Sequence, residues 1–114
     1  MGNAYKLKNG FWINVREGIF DLFLDDDLII NDCHNFSFIY DKLIVIKKGQ
    51  TITIFSIKPE EKNGKKIPNK LATFSNTSPN IFADIVIGEY CYTIDYNCQI
   101  TISPSKRRFN PKIN

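Results

Sequence analysis

The chain is poor in the residues that do chemistry. Its 114 residues hold one histidine, three cysteines and one methionine. Cys33, His34, Cys91 and Cys98 are ligand types, but no pair has the two- to four-residue separation of the familiar zinc patterns. Cys33 and His34 are sequence neighbours, and on a strand neighbours point to opposite faces, so they form no nucleophile–base dyad. No glycine-rich phosphate loop occurs. "DDD" at 25–27 lacks the glycine and distal glutamate of a calcium loop. Carboxylates are plentiful, yet nothing marks two of them as a buried, opposed pair. The expectation is a protein that is not an enzyme and takes no metal or cofactor.

Other absences bound the setting. No run of about 18 uncharged apolar residues occurs, so no membrane-spanning helix is expected and no membrane partner. The N-terminal "MGNAYKLKNG" has neither the apolar stretch nor the cleavage site of a secretory signal. Lys6 stands where a myristoylation motif needs Ser or Thr. Three cysteines are an odd number without an export signal, which suits reduced thiols and a cytoplasmic location. Alanine occurs three times, while isoleucine, asparagine and aromatics are frequent, a composition that favours strands and turns over helices.

What is present is period-two alternation broken by turn residues. "FWINV" (11–15) sets Phe11, Ile13 and Val15 against Trp12 and Asn14. Glu17-Gly18 suits a two-residue hairpin turn, returning through "IFDLFL" with Phe20, Leu22 and Leu24 on one face. "DLII" (27–30) predicts a short strand, "NDCHN" (31–35) a turn, and "FSFIY" (36–40) another strand. "LIVIKKGQTITIFSI" (43–57) predicts a hairpin around Lys48-Gly49, pairing Val45 with Ile52 and Leu43 with Ile54. Residues 58–70 form a polar loop, with Asn63-Gly64 suited to a hairpin tip. "LATFS" (71–75) predicts a strand and 76–80 a loop. Residues 78–88 carry helix punctuation in Ser78, Pro79 and Gly88, but their alternation favours a strand. The run from Tyr90 to Ile102 is one long strand or a hairpin over Asp95-Tyr96-Asn97. In the hairpin, Ile94 meets Cys98, Tyr92 meets Ile100, and Asn97 takes the left-handed position. Cys98 falls on the apolar face. No internal repeat is visible. The fold class is all-β: a single-domain antiparallel β-sandwich or curved barrel over 1–114, with roughly eight to ten short strands and at most one short helix. Residues 104–114 are a basic, irregular tail.

Charge is the most uneven feature. Residues 17–41 hold Glu17, Asp21, Asp25, Asp26, Asp27, Asp32 and Asp41 and no Lys or Arg, a charge of −7 against +10 elsewhere and +3 overall. Such a run repels itself. It is either compensated by the lysines of 42–48 and 58–70, or it is a docking patch for a basic protein. In the second case Phe20, Phe23, Leu24, Leu28 and Tyr40 supply apolar anchors. The partner-binding candidates are Asp21, Phe23, Asp25, Asp26, Asp27, Asp32, Tyr40 and Asp41.

The acid cluster "DLFLDDDLIINDCH", the small size, the Asn/Ile/Lys-heavy composition and the missing catalytic motifs together resemble the bacterial toxin-immunity proteins, including those of contact-dependent growth inhibition. That resemblance implies a cytoplasmic protein that binds one cognate toxin, a nuclease among the options, and blocks its active site. It carries over no residue roles. The alternative is a small β-barrel for single-stranded nucleic acid. It would use Lys62, Lys65, Lys66 and the tail's Lys106, Arg107, Arg108 and Lys112, with Phe36, Phe38, Tyr40, Tyr90 and Tyr92 to stack. Against stacking, a chain this short needs those aromatics for its core.

Overall fold

A computed structural model of the chain describes residues 2–39, 41–75 and 82–105. Among them it is all-β, with thirteen strands and no helix. They are β1 (Asn3–Lys6), β2 (Phe11–Arg16), β3 (Ile19–Leu24), β4 (Asp27–Cys33), β5 (Asn35–Ile39), β6 (Leu43–Lys48) and β7 (Thr51–Ser56). After them come β8 (Glu60–Lys62), β9 (Lys65–Ile67), β10 (Lys70–Ser75), β11 (Phe82–Ile87), β12 (Tyr90–Asp95) and β13 (Ile100–Pro104). The count exceeds the eight to ten expected, chiefly because 58–70 is a hairpin and β1 precedes the first predicted strand. The 78–88 segment is strand over its described part. Its residues 78–81, and the basic tail beyond Ser105, lie outside the described residues.

The strands form three antiparallel meanders and one small hairpin. Sheet one runs β1-β2-β3-β4, sheet two β10-β7-β6-β5, and sheet three β11-β12-β13, with β8-β9 apart. Two apolar cores lie between them. The first joins Phe11, Ile13, Phe20, Leu22 and Leu24 of sheet one to Ile44, Ile46 and Phe55 of sheet two. The second joins Leu43, Val45, Ile52 and Ile54 of sheet two to Tyr92, Ile94 and Cys98. The result is two sandwiches sharing a middle sheet, not a barrel. "LIVI" (43–46) is the sequence mark of that middle position. A strand covered on both faces needs a continuous apolar run, and all four residues are at most 1% exposed.

The turns carry a period that the side chains hide. Left-handed backbone occurs at Asn9 (φ 59°), Glu17 (49°), Asp25 (52°), Asp41 (73°) and Gly49 (61°), successive positions lying eight or sixteen residues apart. A six-residue strand followed by a two-residue turn repeats with period eight. The turn expected at 31–35 is absent. Strand β4 instead runs to Cys33 through a register shift with Asp32 at φ 56°, and the chain then crosses from sheet one to sheet two. This bulge bends the strand, which lets one chain path serve two layers.

Two registers differ from expectation, each by two residues. Sheet two pairs Val45 with Ile54 and Leu43 with Ser56, because Gly49-Gln50 forms the turn and Gly49 takes its left-handed position. Sheet three pairs Ile94 with Ile100 and Tyr92 with Ile102. There the left-handed residue is Cys98 (φ 65°), not Asn97. Asp95 holds this wider loop, accepting from the backbone N–H of Asn97 and Gln99. Residues 43–46 offer no free edge for a partner strand to extend. Strand β6 is hydrogen-bonded on both sides, to β5 and β7.

Candidate protein-docking face

Sheet one turns one face to the first core and one away from it. Across the sheet, Lys6, Trp12, Phe23 and Leu28 are opposed in successive pairs. Their parity is opposite to that of Phe11, Ile13, Leu22 and Leu24, so the row lies on the outer face. Trp12 and Phe23 stack, with ring centroids 4.2 Å apart and planes at 9°. Leu28 beside them is 53% exposed. Phe20 and Leu24, expected as further anchors, are buried in the first core instead, since they share the parity of Leu22. Tyr40 lies outside the described residues.

Three chain turns meet at one end of this row. Asp25 N–H donates to Gly10 O at 2.9 Å, and the Trp12 indole donates to Asp25 O at 2.8 Å. Asn9 donates its side-chain amide to Ile57 O at 2.8 Å, and Lys66 donates to Asn9 O at 3.1 Å. The backbone at Gly10 favours glycine, and a side chain there would also push the Asp25 carboxylate aside. The Gly10 φ is 94°, and a Cβ would sit 2.4 Å from Asp25 Oδ1. Between these turns lies an open cleft of about 660 Å³, walled by Lys6, Leu7 and Trp12 on one side and by Asp25 and Asp26 on the other.

The acids are largely compensated. Arg16 reaches Asp32 at 2.7 Å and Asp21 at 3.3 Å. Those two hydrogen bonds raise the Arg16 pKa above its ordinary value. Asp21 also accepts from the Asp32 backbone N–H at 2.9 Å. Lys65 pairs with Asp27 at 3.1 Å, Lys66 approaches Asp25 at 3.9 Å, and Lys8 pairs with Asp41. So the 58–70 lysines fold beside the run, as the compensation reading expects. The 42–48 lysines do something else: Lys48 bonds Asn31 at 3.0 Å, and Lys47 lies over the Tyr96 ring at 5.5 Å. Among the described residues, Glu17 and Asp26 have no ion pair. The candidates therefore divide. Asp25, Asp26, Asp27 and Phe23 gather at the β3–β4 end of the outer face. Asp21 and Asp32 are held by Arg16 near its other end, and Asp41 is tied to the β1–β2 turn through Lys8.

Trp12 is the residue that sequence reasoning passed over. Its signal was available. The Glu17-Gly18 turn places Trp12 opposite Phe23, and its parity is that of Asn14, away from the core.

The chemistry elsewhere is quiet. Cys33 and Cys98 are buried, and burial pushes the Cys33 thiol up to about 11 and the Cys98 thiol upward as well. Such thiols stay protonated and are poor nucleophiles near neutral pH. His34 accepts from Gly49 N–H at 3.3 Å through Nδ1. Among the aromatics offered for base stacking, Tyr92 is buried, Phe36 and Phe38 pack on the first core, and Tyr90 is exposed. Compared with models of known families, with curated proteins and with solved structures, the chain matches none.

Proposed function

We propose that the protein is non-catalytic and works by binding another protein, as an inhibitor of the toxin-immunity kind. Its docking surface is the outer face of sheet one together with the adjoining cleft. The observation that carries this reading is the Trp12–Phe23–Leu28 row, an apolar stripe left on an open sheet face beside a carboxylate, Asp26, with no cationic partner among the described residues. Aromatic anchors ringed by polar groups are the composition of binding centres. The ion pairs of Asp25 and Asp27 oppose docking only weakly. They are solvent-exposed, and such pairs are worth about 0–1 kcal/mol, so a partner's cations can replace Lys66 and Lys65 cheaply. The toxin reading adds that the face covered on the partner is its active site.

The test is capture by the tagged protein from the cells that encode it, at low and high salt, with variants on each face. Stoichiometric capture of one protein, lost in Leu28→Lys and Asp26→Lys and kept in Val86→Lys on sheet three, supports the surface. Loss of that protein's own activity on equimolar mixing supports inhibition. Capture that survives both sheet-one variants removes the surface. Nucleic acid in place of protein, released by salt, removes the reading altogether and supports the nucleic-acid alternative.

A further inference from the structure

Sheets one and two have four strands each; sheet three, among the described residues, has three. Among the described residues its two edges are β11 and β13, and the hydrogen-bond parity at β13 can be worked out. Ser105 N–H donates to Glu89 O at 2.9 Å, and Asp95 N–H to Gln99 O at 3.1 Å. In an antiparallel ladder, hydrogen-bonded pairs alternate with non-bonded ones. Cys91/Ser103 and Thr93/Thr101 are then the bonded pairs between β12 and β13. Ile100 and Ile102 therefore turn their N–H and C=O groups to the open edge, and Pro104 offers its carbonyl alone.

The side chains at this edge are also incompletely covered. Tyr92 and Ile102 are opposed on the face toward the middle sheet. Tyr92 is 4% exposed, but Ile102 is 51% exposed, as is Tyr90 on the same face. Most other edge strands carry the usual defences against pairing. Strand β1 has Lys6, β4 has Asp27, Asp32 and a register shift, β10 has Lys70 and a register shift, and β11 has Asp84. Strand β5 is uncharged, but its Phe36 and Phe38 pack on the first core. Strand β13, "ITISP", has no charge and no bulge, and it carries a half-exposed isoleucine at its centre.

We propose that β13 pairs antiparallel with β13 of a second copy, about a two-fold axis at Ile102, so that two third sheets become one continuous sheet. The strand is self-complementary in that arrangement. Ile102 opposes Ile102 of the second copy and exchanges both backbone bonds with it. Ile100 donates to the Pro104 carbonyl of the second copy, and reciprocally, so the missing proline N–H costs only one bond on each side. On the outer face Thr101 meets Ser103, a favourable cross-strand pair, and no like charges are opposed. About four main-chain bonds result, and the two exposed isoleucines cover each other. Such an isologous contact closes on itself and forms no filament. It is small, so it belongs to the weak, concentration-dependent class.

Sedimentation equilibrium from roughly 10 µM to 1 mM tests it, alongside Ile102→Lys and Val86→Lys, with circular dichroism to confirm folding. The wild type is expected to pass from monomer to dimer over that range. Ile102→Lys should weaken the dimer at least ~10-fold, while Val86→Lys on the outer face of β11 leaves it unchanged. Should Ile102→Lys not fold, Ile102→Thr gives the same comparison with a milder change. A monomer at every concentration, or a dimer indifferent to the Ile102 substitutions, overturns the proposal. Because β13 lies in the sheet separated from sheet one by the middle sheet, neither outcome bears on the docking face.

Discussion

Truncating Ile54 to alanine tests whether the three layers fold as one unit. Ile54 is fully buried in the second core, between sheets two and three, and has no place in the first. Removing its side chain beyond Cβ costs the transfer of about three methylenes, roughly 2.4 kcal/mol at 0.8 each. The cavity left behind brings the total into the range of about 2–5 kcal/mol. A chain of this length is stable by roughly 6–17 kcal/mol, so the loss is a large fraction of the whole. The assay is urea unfolding followed by fluorescence of Trp12, the only tryptophan, which sits on the far side of sheet one. With a slope of about 2 kcal/mol per molar, the Trp12 midpoint should fall by about 1–2.5 M, in step with circular dichroism. The coupling has a physical basis, because β6 and β7 supply both cores from opposite faces of the same strands. Ile44→Ala, which opens the first core, should shift the same transition by a similar amount. If Ile54→Ala leaves the Trp12 midpoint in place while circular dichroism shifts, the layers unfold independently and the shared-sheet reasoning is wrong.

Three further outcomes follow from local structure. Glu17 sits at φ 49° before Gly18, where a side chain other than Asn or Asp is disfavoured, so Glu17→Asn should stabilise by about 0.5–1 kcal/mol in thermal unfolding; no gain would mean the turn relaxes in solution. Arg16→Met leaves the nearly buried Asp21 beside Asp32 without their shared cation, so the thermal midpoint should fall, and adding Asp21→Asn should restore part of the loss; additive losses would show that Arg16 does not bridge them. Burial raises the Cys33 thiol from 9.0 to about 11, so the folded state holds that proton more tightly than the unfolded one. Its contribution is full below about pH 9 and is lost as pH rises through about 11. The stability difference between wild type and Cys33→Ala should therefore shrink by about 2–3 kcal/mol over that window, and a constant difference in urea unfolding would refute the burial argument.

Faces were legible in the sequence where registers were not. Two of the hairpin registers, those of 43–57 and 90–102, missed by two residues, and a two-residue slip returns every side chain to its own face. Leu43, Val45, Ile52 and Ile54 were grouped correctly although their partners were not. Local turn chemistry with a glycine in second place located the turns at Glu17-Gly18 and Asn63-Gly64, and missed the one at Gly49-Gln50 by one residue. It failed at 31–35, where Asn and Asp serve a bulge inside a strand, because the same left-handed tolerance suits either use. The layering was out of reach for another reason. Nothing local distinguishes a strand buried on two faces from one that begins a helix, and only the shortness of "LIVI" hinted at it. The ion pairs were likewise hidden, since Asp25–Lys66 and Asp27–Lys65 join positions about forty residues apart in the chain.

The acid run itself has a backbone cause. Glu17, Asp25, Asp32 and Asp41 all occupy left-handed backbone, at φ 49°, 52°, 56° and 73°. An eight-residue meander demands such a residue at most of its turns, and this stretch meets the demand with Glu17, Asp25 and Asp41, and its bulge with Asp32, where other turns use Asn, Gly or Cys98. Lysines and Arg16 then neutralise three of these four carboxylates, all but Glu17. Once those acids are set aside, the docking proposal rests on Asp26 and the apolar row. Reversing the whole Asp25/Asp26/Asp27 cluster would therefore mislead, because it also strips Lys65 and Lys66 of their partners. The clean perturbation is Asp26→Lys alone, set against Asp41→Asn, which removes an acid of the run away from the row. If the face steers a basic partner, Asp26→Lys should slow association several-fold at low salt and much less at high salt, with Asp41→Asn near wild type. An Asp26→Lys effect only about twice that of Asp41→Asn, in proportion to their charge changes of two and one, would mean that net charge, and not this face, sets the encounter.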